Sequence, residues 1–144
     1  MALAIFDLDN TLLGGDSDHA WGAYLVEKGI VDADAYRQAN DQFLKDYQTG
    51  QLNIQEYLEF ALQPLANNDM ATLNAWREDF LSKRIKPIML PKAFEVLDKH
   101  RKQGDFLLII TATNRFITEL IADAFGVDDI IATEPEIIDN IYTG

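Results

Sequence analysis

Two short polar stretches stand out as places where chemistry could be done. Asp7-Leu8-Asp9-Asn10-Thr11 directly follows the apolar run Ala2 to Phe6, and Thr111-Ala112-Thr113-Asn114 directly follows the apolar run Phe106 to Ile110. Two carboxylates two residues apart can aim one at a reacting atom while helping to hold a hard cation, which takes carboxylate and carbonyl oxygens. A hydroxyl and free backbone N–H groups at the mouth of a helix form a ready anion site. Asp, Asn and Thr are also ordinary turn and cap residues, so a polar turn is the plain alternative for the first stretch. An EF-hand loop is excluded: counted from Asp7 it needs Gly at the sixth position and Glu at the twelfth, where Leu12 and Asp18 stand. A glycosyltransferase-like metal dyad tolerates the Asp-x-Asp spacing, although no nucleotide-binding half precedes it.

The elements that must position these residues are legible from periodicity. Ala2 to Phe6 is an unbroken apolar run and reads as a buried interior strand, apolar on both faces. From Asp16 to Arg84 the period is helical: Trp21, Tyr24 and Leu25 before Gly29; Tyr36, Phe43, Leu44 and Tyr47 before Gly50; Ile54 to Leu65 after Asn53; Leu73, Trp76 and Phe80 after Asp69. Four helices follow. A fifth enters at Pro91 and ends at Gly104, and the strand Phe106 to Ile110 comes next. A helix capped near Asn114 then runs to Gly126, before a short strand near Ile130 to Ala132. Strand, helix, strand, helix, strand at these lengths predicts an α/β protein with a Rossmann-like parallel sheet of three layers, and residues 16 to 86 as a four-helix insertion. Ligands of such sheets bind beyond the carboxyl ends of the strands, where both polar stretches lie.

Composition removes other classes. The 144 residues carry 12 Lys plus Arg against 24 Asp plus Glu, a net charge of −12, and no cysteine. Such a surface repels a phosphate backbone, so nucleic acid is not expected as a partner. Without cysteine there is no disulfide framework, thiolate metal site or cysteine nucleophile. No apolar run approaches the ~20 residues that span a bilayer, and no basic, signal-like segment opens the chain, so no membrane partner and a cytoplasmic location are expected.

An apolar strand ending in Asp-x-Asp-x-Thr, a helical insertion, then an apolar strand ending in Thr resembles the haloacid dehalogenase superfamily. It is most similar to the branch with an all-helical cap, which includes the phosphoserine phosphatases. The first motif maps onto Asp7, Asp9 and Thr11 and the second onto Thr111. The resemblance implies a Mg²⁺-dependent phosphatase, with residues 1–15 and 87–144 as catalytic core and 16–86 as cap. It implies that Asp7 is the nucleophile, forming an aspartyl phosphate, and that Asp9 is the acid and base. Mg²⁺ would be held by the Asp7 side chain and the Asp9 carbonyl, and the phosphoryl oxygens by Thr111, Ala112 and Leu8.

The same resemblance places a substrate-binding acid on Asp16 and an arginine position on Ala61, where no cation stands. A substrate carboxylate would lack its bidentate partner. A phosphorylated amino alcohol is therefore expected, histidinol phosphate ahead of phosphoserine, with Asp18, His19, Tyr57 and Phe60 as further candidate contacts. Helix capping is the structural alternative for Asp16 and Asp18. The family's lysine and distal acidic cluster would lie past Gly144. The chain is thus expected to be the N-terminal portion of a larger unit, weakly active or non-catalytic alone, with a strand edge open to a second copy.

Overall fold

A computed structural model describes all residues, Met1–Gly144. Strands β1 (Leu3–Phe6), β2 (Phe106–Asn114) and β3 (Asp129–Thr133) form one parallel sheet in the order β1-β2-β3. Leu3 pairs with Phe106 and Phe6 with Ile109, while Leu108 pairs with Asp129 and Ile110 with Ile131. The register with β3 shifts between Ile110 and Asn114, the polar tip of β2, and resumes with Asn114 opposite Thr133.

Between β1 and β2 come four helices, α1 (Ser17–Glu27), α2 (Ala33–Gln48), α3 (Ile54–Ala66) and α4 (Met70–Phe80). A π-helical turn at Leu81–Ile85 and a 3-10 turn at Lys86–Ile88 lead to α5 (Pro91–Lys102). Their local determinants are those the chain advertises. Asp32 accepts from Ala35 N–H, Asn53 from Gln55 and Glu56 N–H, and Pro91 occupies the first turn of α5, where its missing N–H costs nothing. Helix α6 (Arg115–Phe125) starts with the Asn114 side chain accepting from Ile117 N–H and ends at Gly126, whose φ of 67° suits a residue without Cβ.

As expected of these three strands, one flank of β1 has no strand beside it in this chain. It lies at the sheet edge, and Leu3 and Ile5 are more than half exposed while Ala4 is buried. Both chain crossovers step the same way across the sheet, β1 to β2 through α5 and β2 to β3 through α6. Right-handed crossovers then put both helices on one face. Ala4, Leu107, Ile109 and Ile130 are buried; on the opposite face Leu108 is buried as well, while Leu3, Ile5, Phe106, Ile110 and Ile131 are exposed. One face of the sheet is buried along its length, and the other is largely exposed apart from Leu108.

The chain forms two compact units, one of Met1–Trp21 with Asn74–Glu134, the other of Gly22–Leu73 with Pro135–Gly144. The divisions fall inside α1, inside α4 and after Glu134. In the first unit Trp21 packs edge-on against Phe80 at 5.1 Å and against Phe116 at 5.9 Å, which ties the first turns of α1 and the last turns of α4 to the sheet's helices. In the second unit Tyr36, Phe43, Tyr57 and Phe60 form an aromatic cluster, with Phe43 5.5 Å from Tyr57 and 5.2 Å from Phe60. A hairpin of β4 (Ile137–Ile138) and β5 (Ile141–Tyr142) also belongs to this unit, turning through Asp139 and Asn140.

Candidate active site at the carboxyl ends of β1 and β2

The parallel register carries the two polar stretches to one place. One residue past the Phe6–Ile109 pair, β1 becomes Asp7 and β2 has reached Ile110, so Asp7, Leu8 and Asp9 leave the sheet beside Thr111, Ala112 and Thr113.

The loop after β1 is a tight turn with few degrees of freedom. Leu8 is fully buried, and its carbonyl takes the N–H groups of Leu12 at 3.0 Å and Leu13 at 3.1 Å. Asn10 sits at φ 54°, a left-handed position that Asn tolerates better than most residues, and its N–H donates to Gly15 O at 2.9 Å. A strap then fixes the loop's far end: Gly14 N–H donates to Ile88 O at 2.7 Å, Leu90 N–H to Leu12 O at 3.1 Å, and Leu13 bridges to Met89. The loop is thereby held to the segment that enters α5.

Asp7 is exposed, and one of its oxygens accepts from the N–H of Leu8 at 2.8 Å. Leu8, expected to offer that N–H to phosphate, here gives it to Asp7. Asp9 is half-buried, and both its oxygens are engaged: Oδ1 accepts from Ser17 N–H at 2.7 Å and Oδ2 from the Thr113 hydroxyl at 2.9 Å. Thr111 is buried, and its Oγ1 accepts from Thr113 N–H at 3.2 Å. Ala112 is exposed, its carbonyl taking the Thr133 hydroxyl at 2.7 Å. Thr11 is exposed in the turn.

Of the other predicted residues, Asp16 is the N-cap of α1, its Oδ1 accepting from His19 N–H at 2.8 Å, and His19 is itself exposed. The capping reading of Asp16 is thus realised. Asp18 is half-buried in the first turn of α1. Tyr57 and Phe60 lie in the second unit, within its aromatic cluster. The residue that sequence reasoning missed is Thr113. It alternates with Thr111 along β2 and so shares its face, which was the available signal.

No group of three or more His, Cys, Asp or Glu side chains gathers here; the donors the loop could offer a divalent cation are the Asp7 carboxylate and the Asp9 carbonyl. No helix is long and apolar enough to cross a membrane.

The parallel sheet thus presents an acidic loop and a threonine tip at adjacent strand ends. The haloacid dehalogenase-like hydrolase family matches residues 4–144, and the chain belongs to it. A histidinol-phosphatase of Neisseria meningitidis serogroup C (strain 8013) is 43% identical over 143 residues, covering 99% of this chain and 64% of that protein. A crystal structure of a protein of unknown function from Bordetella pertussis Tohama I superposes with a TM-score of 0.92 at 41% identity, over 99% of this chain and 64% of that one. A phosphoserine phosphatase solved as a phospho-aspartyl intermediate analogue superposes with a TM-score of 0.63 over 99% of this chain and 60% of that one; at 16% identity it shows a shared fold. The chain therefore spans somewhat less than two thirds of the length of the relatives it matches.

Proposed function

We propose that this chain carries the nucleophile, the acid/base and part of the phosphate site of a cytoplasmic, Mg²⁺-dependent phosphomonoesterase acting on small phosphorylated amino alcohols. The single observation that carries the reading is the Asp9–Thr113 hydrogen bond, 2.9 Å long, which joins the loop after β1 to the tip of β2. In this reading an Asp7 oxygen attacks phosphorus, the ester P–O bond breaks, and the departing alkoxide takes a proton from Asp9. Asp9, now a carboxylate, then removes a proton from the water that hydrolyses the aspartyl phosphate, which returns both residues to their starting states. Thr111 and the N–H groups of Leu8 and Ala112 hold the phosphoryl oxygens. Leu8 N–H must leave Asp7 to do so. Mg²⁺ held by the Asp7 carboxylate and Asp9 carbonyl would offset the charge of phosphate facing an anionic nucleophile.

The substrate reading rests on the absence of a cation at Ala61 and on the 43% identity to a histidinol-phosphatase. Histidinol phosphate carries no carboxylate for an arginine to bind, and the candidate contacts for its imidazole and ammonium are Asp16, Asp18, His19, Tyr57 and Phe60. Residues 16–86 are the cap and residues 1–15 and 87–144 the core in this proposal; pairing with a second copy is confined to the chain by itself. A panel of phosphomonoesters assayed with Mg²⁺ on the complete protein tests the substrate class. Histidinol phosphate should be turned over in preference to phosphoserine; a clear preference for phosphoserine would defeat the argument from Ala61. Absence of any phosphomonoesterase activity would defeat the reading as a whole.

A further inference from the structure

We infer that Thr113 is a positioning residue for Asp9, locking the orientation of its carboxylate from the neighbouring strand. The inference rests on the proposed role of Asp9 as acid and base. An aspartate side chain at a loop has two torsions to fix, and one hydrogen bond leaves the carboxylate free to swing about it. Here two donors hold it from different elements. Ser17 N–H, in the first turn of α1, binds Oδ1 at 2.7 Å, and the Thr113 hydroxyl, on β2, binds Oδ2 at 2.9 Å. Both donors are themselves restrained. Ser17 is fully buried and its own hydroxyl has no hydrogen-bond partner, so the hold on Oδ1 comes from the main chain alone. Thr113 is 9% exposed, and its N–H donates to Thr111 Oγ1 at 3.2 Å. One residue thus connects the hydroxyl proposed to bind phosphate with the carboxyl proposed to protonate the leaving group.

The chemistry favours a hydroxyl at this position. Threonine's O–H can donate to Oδ2 of either the carboxylate or the carboxylic acid, leaving the acid's own proton free for the alkoxide, so the contact survives when Asp9 gives up its proton and regains one from water. Its branched Cβ restricts χ1, which keeps the hydroxyl aimed at Asp9. Misplacing a catalytic group by about 1 Å can cost on the order of a hundredfold in rate.

Thr113→Val, which keeps the shape and removes the hydroxyl, provides the test, with Thr113→Ser as the restoring variant. First-turnover alcohol release from an alkyl phosphate, which needs a proton donor, should fall at least ~10-fold in Thr113→Val. Release from p-nitrophenyl phosphate, whose phenolate leaves unprotonated, should change less than ~3-fold, and Thr113→Ser should bring the alkyl ester back to within ~3-fold of the parent. Equal losses on the two esters, or no loss on either, would overturn the inference. If the parent protein turns over neither ester, the functional reading fails, and the positioning claim is then decided by amide exchange. Ser17 N–H should exchange at least ~5-fold faster in Thr113→Val than in the parent, with Thr113→Ser unchanged, since losing one anchor lets the carboxylate leave the other. Unaltered Ser17 exchange in a folded Thr113→Val protein would overturn it.

Discussion

Phe6 stands opposite Ile109 as the last register pair of β1 and β2, and this one relationship brings Asp7 and Thr111, 104 positions apart in the chain, to adjacent strand ends. Neighbouring strands lie about 4.8 Å apart, so no long side chain is needed to span the site.

The nucleophile assignment predicts that Asp7→Asn abolishes turnover in the complete protein without loss of folding, because the amide keeps the shape of an exposed side chain but cannot attack phosphorus. Asp9→Asn should lower turnover by about 10²-fold or more, the usual scale of a lost acid and base. Steady-state assays together with far-UV circular dichroism check both. Near-normal Mg²⁺-dependent activity in Asp7→Asn would remove it as nucleophile.

Arg77 joins the end of α4 to α6. Its guanidinium lies 4.9 Å from the centre of the Phe116 ring and donates to Phe116 O at 3.1 Å and Asn74 Oδ1 at 3.2 Å. The ion pair with Glu119, at 3.4 Å, is half exposed on the acidic side. Arg77→Met should therefore destabilise the protein by about 1–3 kcal/mol, through the lost carbonyl and ring contacts. Glu119→Gln should cost less than about 0.5 kcal/mol. Urea denaturation measures both; similar costs would place the energy in the ion pair instead.

Acid should loosen the attachment of β1 to α5. Asp105 accepts from Ala2 N–H at 2.9 Å and lies 2.8 Å from Nδ1 of His100, whose ring packs edge-on to Phe6 at 5.7 Å. The hydrogen bond to His100, then that from Ala2, holds the Asp105 carboxyl below the usual carboxylate range. Its folded value lies below its unfolded value, so the stabilisation is complete above the unfolded value near ~3.9 and is lost as pH falls through the folded one. Unfolding by urea at a series of pH values should show Asp105→Asn less stable than the parent by a constant margin at neutral pH, the two converging in acid. A margin that widened in acid would reverse the sign of the coupling.

The β4–β5 turn should respond to backbone conformation alone. Asp139 and Asn140 sit at φ 50° and 63°, both left-handed, as a two-residue turn matched to strand twist requires. Asn140→Gly should leave the hairpin unchanged or tighter, while Asn140→Val should weaken it by about 1–2 kcal/mol, because a β-branched residue resists positive φ. Exchange of the Thr143 amide, which donates to Glu136 O at 3.1 Å, reports the difference. Equal protection in the two variants would mean the turn does not hold the hairpin.

What the amino-acid sequence determined by itself is what local physics governs. The end of β1 at Asp7, the entry of α5 at Pro91, the Asn114 cap of α6 and the four helices before Pro87 all follow from periodicity, caps and breakers acting within a few residues. The acidic loop and the threonine tip were legible for the same reason, since each directly ends an apolar run. Only tertiary structure decided the rest. Whether Ala2 to Phe6 is buried on both faces depends on what lies beside it, and its outer edge and one face have no neighbour in this chain. The β4–β5 hairpin needed a two-residue turn with both φ angles positive, which Asp-Asn signals far more weakly than Asn-Gly. The grip on Asp9 comes from a main-chain N–H eight residues away and a hydroxyl 104 residues away. A backbone N–H has no letter in the sequence, and a contact at that separation exists only once parallel pairing has set the register.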